Sequence, residues 1–304
     1  MNYKKKVTIL SALLVVLALT YIIILFFDSD RRGESPFAWL EASQFVMADR
    51  IEVSGMNGQV VLRRINDTWF LSEGSVDYPA RQSSVEDLIS SLSRKEIYPI
   101  RALSSEARER LGLDGNNSSR IRVSGGAGLP LLDLLIGNTD ALGREVYLKS
   151  ADSNEIHSAE DRFTFFTEAN SDFWMDRRLF STASITDVQQ IEVSLPEGEP
   201  YVLRRGGAGW ILHGSSNEVD VTRVDSWLRG ILEAEAESFT LESPETIEVT
   251  IVLYMGDGQT KAMLAGPLDE MNMRQVLVSD SSFIYLLSEW TQNRLFRESS
   301  FFLR

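Results

Sequence analysis

The sequence predicts an α+β protein: an N-terminal transmembrane helix followed by two tandem, duplicated domains, each an antiparallel β-meander with packed helices. Three observations carry this reading. Residues 7–27, VTILSALLVVLALTYIIILFF, run for 21 residues without a charge. The phrase VLRRINDTWFL at 61–71 returns as VLRRGGAGWIL at 202–212, with six of eleven positions the same. After each copy, apolar residues recur at the i, i+3, i+4, i+7 spacing of a one-sided helix.

The elements follow in order. An apolar run of this length crosses a hydrocarbon core of about 30 Å as a helix. Lys4, Lys5 and Lys6 precede it, whereas Asp28, Asp30, Arg31 and Arg32 follow it. Positive charge is therefore undiluted only on the N-terminal side, which places residues 1–6 in the cytoplasm and the bulk of the chain outside. The run exceeds the roughly 7–15 residues of a cleaved signal peptide and lacks a small-residue cleavage site. Residues 7–27 are expected to be an uncleaved signal anchor with a single span, and residues 28–50 a juxtamembrane linker. Within that linker Phe37 and Trp39 suit either the membrane surface or packing on the first domain.

The first repeat domain is placed at 51–180 and the second at 191–304. Ile51-Glu52-Val53-Ser54 returns as Ile191-Glu192-Val193-Ser194, 140 residues later. Strands are expected near 51–55, 60–65 and 68–72, with a turn at Asn66-Asp67 that the glycine-rich stretch 206–209 replaces in the second copy. Ser83 with Glu86, and Thr222 with Asp225, have the spacing of helix-capping pairs. FWMDRRLF at 173–180 matches EWTQNRLF at 289–296, which predicts a closing helix in each domain. Trp69 and Trp210 restart a strand in each repeat and are expected as core anchors. The alternative is that these two rings are exposed and contact a ligand or partner.

Composition restricts the function. A formal charge of −14 disfavours nucleic acid. The absence of cysteine removes disulfides, thiolate nucleophiles and cysteine metal sites. The two histidines, His157 and His213, occupy non-corresponding positions and fit no metal-ligand spacing. No G-x-S-x-G, S-x-x-K or phosphate-loop pattern occurs. Glu233, Glu235 and Glu237 alternate at a helix end without selecting a catalytic pair. These observations predict a non-enzymatic protein with no cofactor and no metal.

Taken in order, a set of short motifs resembles the bacterial domain of unknown function 4340 family. They are Ile-x-Val (51–53), Val-x-Leu-Arg-Arg (60–64), Trp-x-Leu (69–71), Pro-Ala (79–80), Leu-Gly-Leu (111–113), Ile-Gly (136–137), Gly-Arg-Glu-Val-Tyr (143–147) and Asp-Arg-Arg-Leu-Phe (176–180). The resemblance implies a single-pass protein of the bacterial inner membrane, an accessory to an ABC-type export or gliding-motility-like transporter. Its implied partners are the transporter permease and auxiliary proteins. It carries no catalytic residue. A stand-alone envelope module, for example one binding glycan, is the alternative.

Overall fold

A computed structural model describes residues 35–114, 118–168, 170–180, 184–207 and 209–304. The anchor at 7–27 lies outside the described residues, as do 1–6 and the start of the linker. Among the described residues no helix is long and apolar enough to cross a membrane. The expected α+β class is corrected: two large antiparallel sheets hold 42% of residues in strand against 24% in helix, so the protein is mostly β. The chain divides into two compact units between Met175 and Asp176.

In unit 1, helix α1 (Ala42–Val46) leads into strands β1 (Ala48–Gly55), β2 (Gly58–Ile65), β3 (Thr68–Glu73) and β4 (Val76–Pro79). Helix α2 (Gln82–Ser93), β5 (Ile100–Ala102) and α3 (Ser105–Arg110) follow, then β6 (Ser119–Gly125), β7 (Leu129–Thr139), β8 (Glu145–Ser150) and β9 (Ile156–Glu160). Two short helices, α4 (Phe163–Glu168) and α5 (Ser171–Trp174), close the unit. The sheet order is β4-β3-β2-β1-β6-β7-β8-β9-β5. Strand β1 is central because Ile51 and Val53 alternate onto the core face, where Ile51 sits opposite Leu62 on one side and Val123 on the other. Asn66 and Asp67 both adopt positive φ, which turns β2 into β3 through a two-residue hairpin.

The linker assignment ends earlier than expected. Phe37 pairs with Glu96 as a β-bridge, Leu40 is fully buried, and β1 begins at Ala48. Residues from Phe37 onward are thus part of unit 1. Phe37 and Trp39 pack on Tyr98 and His157 at centroid distances of 4.9–5.5 Å.

Unit 2 comprises β10 (Val188–Ser194), β11 (Tyr201–Gly206), β12 (Gly209–Leu212), α6 (Val221–Leu232) and β13 (Ser238–Thr240). It continues with β14 (Val249–Met255), β15 (Thr260–Leu268), β16 (Arg274–Val278), β17 (Ile284–Leu287) and α7 (Glu289–Leu295). Its sheet order is β12-β11-β10-β14-β15-β16-β17-β13. Matched from the centre outward, this is the order of unit 1 without a counterpart of β4. The capping assignments shift by two residues: Asp220 accepts the N–H of Arg223 at the start of α6, while α2 begins after Arg81 with no side-chain cap. Helix α6 buries Val224, Trp227, Leu228, Ile231 and Leu232, one stripe against the sheet.

One boundary and one repeat match differ from the sequence expectation. Leu179 and Phe180, placed at the end of the first domain, lie in the core of unit 2. The Leu179 N–H donates to the Ala234 carbonyl at 3.0 Å and the Ala236 N–H to the Arg177 carbonyl at 2.8 Å. The closing match is also out of register. Trp174 is fully buried, but its sequence match Trp290 is 67% exposed. The structural counterpart of 171–175 is 299–303: the Arg81 N–H bonds the Trp174 carbonyl in unit 1, and the Asp220 N–H bonds the Phe302 carbonyl in unit 2. Met175 bridges Ala80 as Leu303 bridges Val219.

Glu237 ties β13 to the start of α7. Its carboxylate accepts the Ser288 N–H at 2.8 Å, the Ser288 hydroxyl, and the Thr291 hydroxyl at 2.9 Å. Burial alone would raise its pKa, yet these hydrogen bonds together bring it below the ordinary carboxylate value. The folded state therefore gains stability above the unfolded pKa of roughly 4.3. That contribution is lost as pH falls through the lower folded value. Glu237→Gln is expected to flatten the acid limb of a stability-against-pH curve, measured by urea unfolding between pH 3 and 6; an unchanged limb would assign the acid sensitivity to other carboxylates.

Candidate functional site

The residues singled out from sequence are not brought together. His157 is buried in unit 1 with Nδ1 2.8 Å from the Tyr98 carbonyl, whereas His213 lies just after β12 in unit 2. Glu237 holds the start of α7, and Glu235 sits in the bridge with Arg178. Among the described residues no group of three or more His, Asp or Glu side chains is placed to hold a metal ion. A cleft of about 770 Å³ in unit 2 is lined by Arg178, Asp225, Arg229 and Glu233. Two of these charges are held within the unit: Asp225 accepts the Trp210 Nε1–H at 2.8 Å, and Arg178 pairs with Asp176 at 2.6 Å.

Trp69 and Trp210 occupy the two cores, 5% and 3% exposed. Phe45 stacks on the Trp69 ring at 6.3 Å, and the Arg205 guanidinium covers the Trp210 ring at 4.5 Å. Burial on this scale makes both rings packing elements, which corrects their candidacy as ligand-stacking platforms. Arg63 pairs with Asp77 and Arg64 with Asp67, while Arg204 bonds Gln190 and Arg205 bonds the carbonyls of Val188 and Ile185.

What distinguishes the two units is the strand edge beside each tryptophan. In unit 1 that edge is closed. Leu71 pairs with Tyr78 of β4, and Gln82 reaches back to bond both the N–H and the carbonyl of Trp69, at 3.2 and 2.9 Å. In unit 2 Val221 stands at the helix position of Gln82, and residues 215–218 form no strand. The His213 N–H donates to the Val202 carbonyl at 2.9 Å, which marks 202/213 as a hydrogen-bonded pair. Antiparallel alternation then turns the backbone groups of Leu212 and Trp210 away from β11, toward the open side. Of these, the Leu212 carbonyl takes the Ser215 N–H at 3.2 Å.

Beside this edge runs a groove of about 670 Å³, lined by Gly207, Ile211, Ser215, Asn217, Val221 and Arg304 among others. Ile211 is 55% exposed on its rim. An unpaired edge with outward N–H and C=O groups is a template for an added strand. Sequence reasoning marked Trp210 but not the edge beside it, because the missing strand leaves no motif; the available signal was the exchange of VDYP for SSNE after the repeated phrase.

A family model described as domain of unknown function (DUF4340) matches residues 69–250, from β3 of unit 1 into β14 of unit 2. No curated protein and no solved structure matches the chain.

Proposed function

The chain belongs to the domain of unknown function 4340 family, and from that premise we propose that it is a non-enzymatic accessory protein working through protein contacts outside the bacterial cytoplasmic membrane. In this reading residues 7–27 tether it to the bilayer, and its partners are the permease and auxiliary proteins of an ABC-type export or gliding-motility-like transporter. The observation that carries the docking role is the open β12 edge. Unit 1 supplies the template for its occupant, since β4 lies along the matching edge as a four-residue extended segment. The occupant of β12 is accordingly an extended segment of a partner protein, bound through main-chain hydrogen bonds. A glycan-binding module would need rings other than Trp69 and Trp210.

The test places a photocrosslinking residue at position 211 of the tagged full-length protein in native membranes. Crosslinks to a permease or its auxiliary proteins are expected. Ile211→Lys, a charge on an exposed edge position, should reduce copurification of that partner at least about tenfold, a loss of roughly 1.4 kcal/mol or more. Its effect on thermal unfolding should stay within about 0.5 kcal/mol. Recovery of envelope polymer alone, or of no protein, would refute the proposal.

A further inference from the structure

A second groove in unit 2, separate from the β12 edge and independent of the docking proposal, gathers positive charge on an acidic protein. It measures about 300 Å³ and lies between α6, α7 and the C-terminal turn, with Arg223, Arg294 and Arg297 along it. Its floor is the face of α6 carrying Thr222, Ser226 and Gly230, small residues one turn apart that keep the groove shallow and open. Trp227 and Phe301 complete the lining.

The arginines differ in how they are held. Arg223 is committed to structure: it lies 3.4 Å from Asp220 and donates to the carbonyls of Phe301 and Leu303 at 3.2 and 3.3 Å. Arg294 and Arg297 have no carboxylate partner among the described residues. Each instead rests on an aromatic face, Arg294 on Trp290 at 4.5 Å and Arg297 on Phe301 at 4.8 Å. Stacking fixes the guanidinium plane while leaving its N–H edge available, so less side-chain freedom is lost when an anion binds. In a chain of charge −14, two arginines held this way with no carboxylate partner among the described residues stand out against the paired arginines of the sheets.

We propose that this groove binds a phosphoryl group, with Arg294 and Arg297 as the primary contacts and the Thr222 and Ser226 hydroxyls as further donors. Two guanidinium forks and two hydroxyls offer more donors than a single carboxylate can accept, and they match the several oxygens of a phosphate. The phosphoryl group has two possible sources, a free phosphorylated molecule or the headgroup of an anionic phospholipid, for which the exposed Trp290 is a suitable interfacial neighbour.

The experiment uses the full chain held in phosphatidylcholine nanodiscs. Inorganic phosphate is titrated calorimetrically, and vesicles of phosphatidylglycerol with phosphatidylcholine are tested by co-flotation, with phosphate as competitor. Saturable phosphate binding without vesicle capture supports a free phosphorylated ligand. Vesicle capture that phosphate reverses supports a lipid headgroup. In either case the double variant Arg294→Gln, Arg297→Gln should bind at least about tenfold more weakly, with an unchanged unfolding midpoint. Binding to neither probe, equal binding by the double variant, or binding only to a polyglutamate peptide would overturn the proposal.

Discussion

Replacing Phe302 with alanine is expected to destabilise unit 2 by about 3–5 kcal/mol, the usual range for a buried phenylalanine. Although only two residues from the end of the chain, Phe302 is fully buried. Its ring meets Trp227 at 4.8 Å and Tyr201 at 6.0 Å. Its carbonyl receives the Asp220 N–H at 2.8 Å, which ties the chain end to the start of α6. The neighbouring Phe301 is 38% exposed and packs edge-on against Phe302, so Phe301→Ala should cost less, about 1–2 kcal/mol. Urea unfolding of both variants checks the contrast. Equal, small losses would show that the C-terminal turn is an appendage of unit 2 and not part of its core.

The second large effect is expected at Gly137. A methyl group there would run into the Leu111 carbonyl oxygen and the Leu113 side chain. The backbone is held close at that point because the Asn138 N–H donates to the Leu111 carbonyl at 2.9 Å. A main-chain oxygen cannot rotate away as a side chain can. Gly137→Ala should therefore cost about 1–3 kcal/mol or more. Gly126→Ala is the control, since a methyl group there meets nothing within 4 Å. Wild-type stability in Gly137→Ala would mean that the 111–113 segment is free to shift. Unit 2 has a close approach at the matching Gly266, there against the ring of Pro244.

That pair of glycines shows what was legible in the sequence. Gly137 and Gly266 align directly in LLIGN and MLAGP, as do the paired tryptophans, because both kinds of position are constrained by immediate contacts. The strands around the repeated phrase were readable for the same reason. The strand order was not, since the pairing of β1 with β6 joins segments separated by about 60 residues or more and leaves no local trace. The excess of sheet over helix was hidden similarly: α2 and α6 have strong one-sided periodicity, but the other helices are a turn or two long.

The closing segments misled because FWMDRRLF and EWTQNRLF share four residues, whereas the true counterparts SDFWM and SSFFL share only two. Packing requires a large aromatic at that point and accepts Trp174 or Phe302, so structural equivalence outlasted sequence identity. Of the candidate site, the sequence marked Trp210 and its neighbours. It could not mark the open edge or the arginines that have no carboxylate partner among the described residues, because such a surrounding is a property of the three-dimensional structure.

The unequal edges have an evolutionary meaning. A duplication in which both copies share the strand order but only one has the capping strand hands selection two different starting points. The sealed copy can drift only within the limits of its own packing. The unsealed copy presents backbone groups already turned outward, so a new association there would require no invention of chemistry, only a neighbour with a few residues of extended chain.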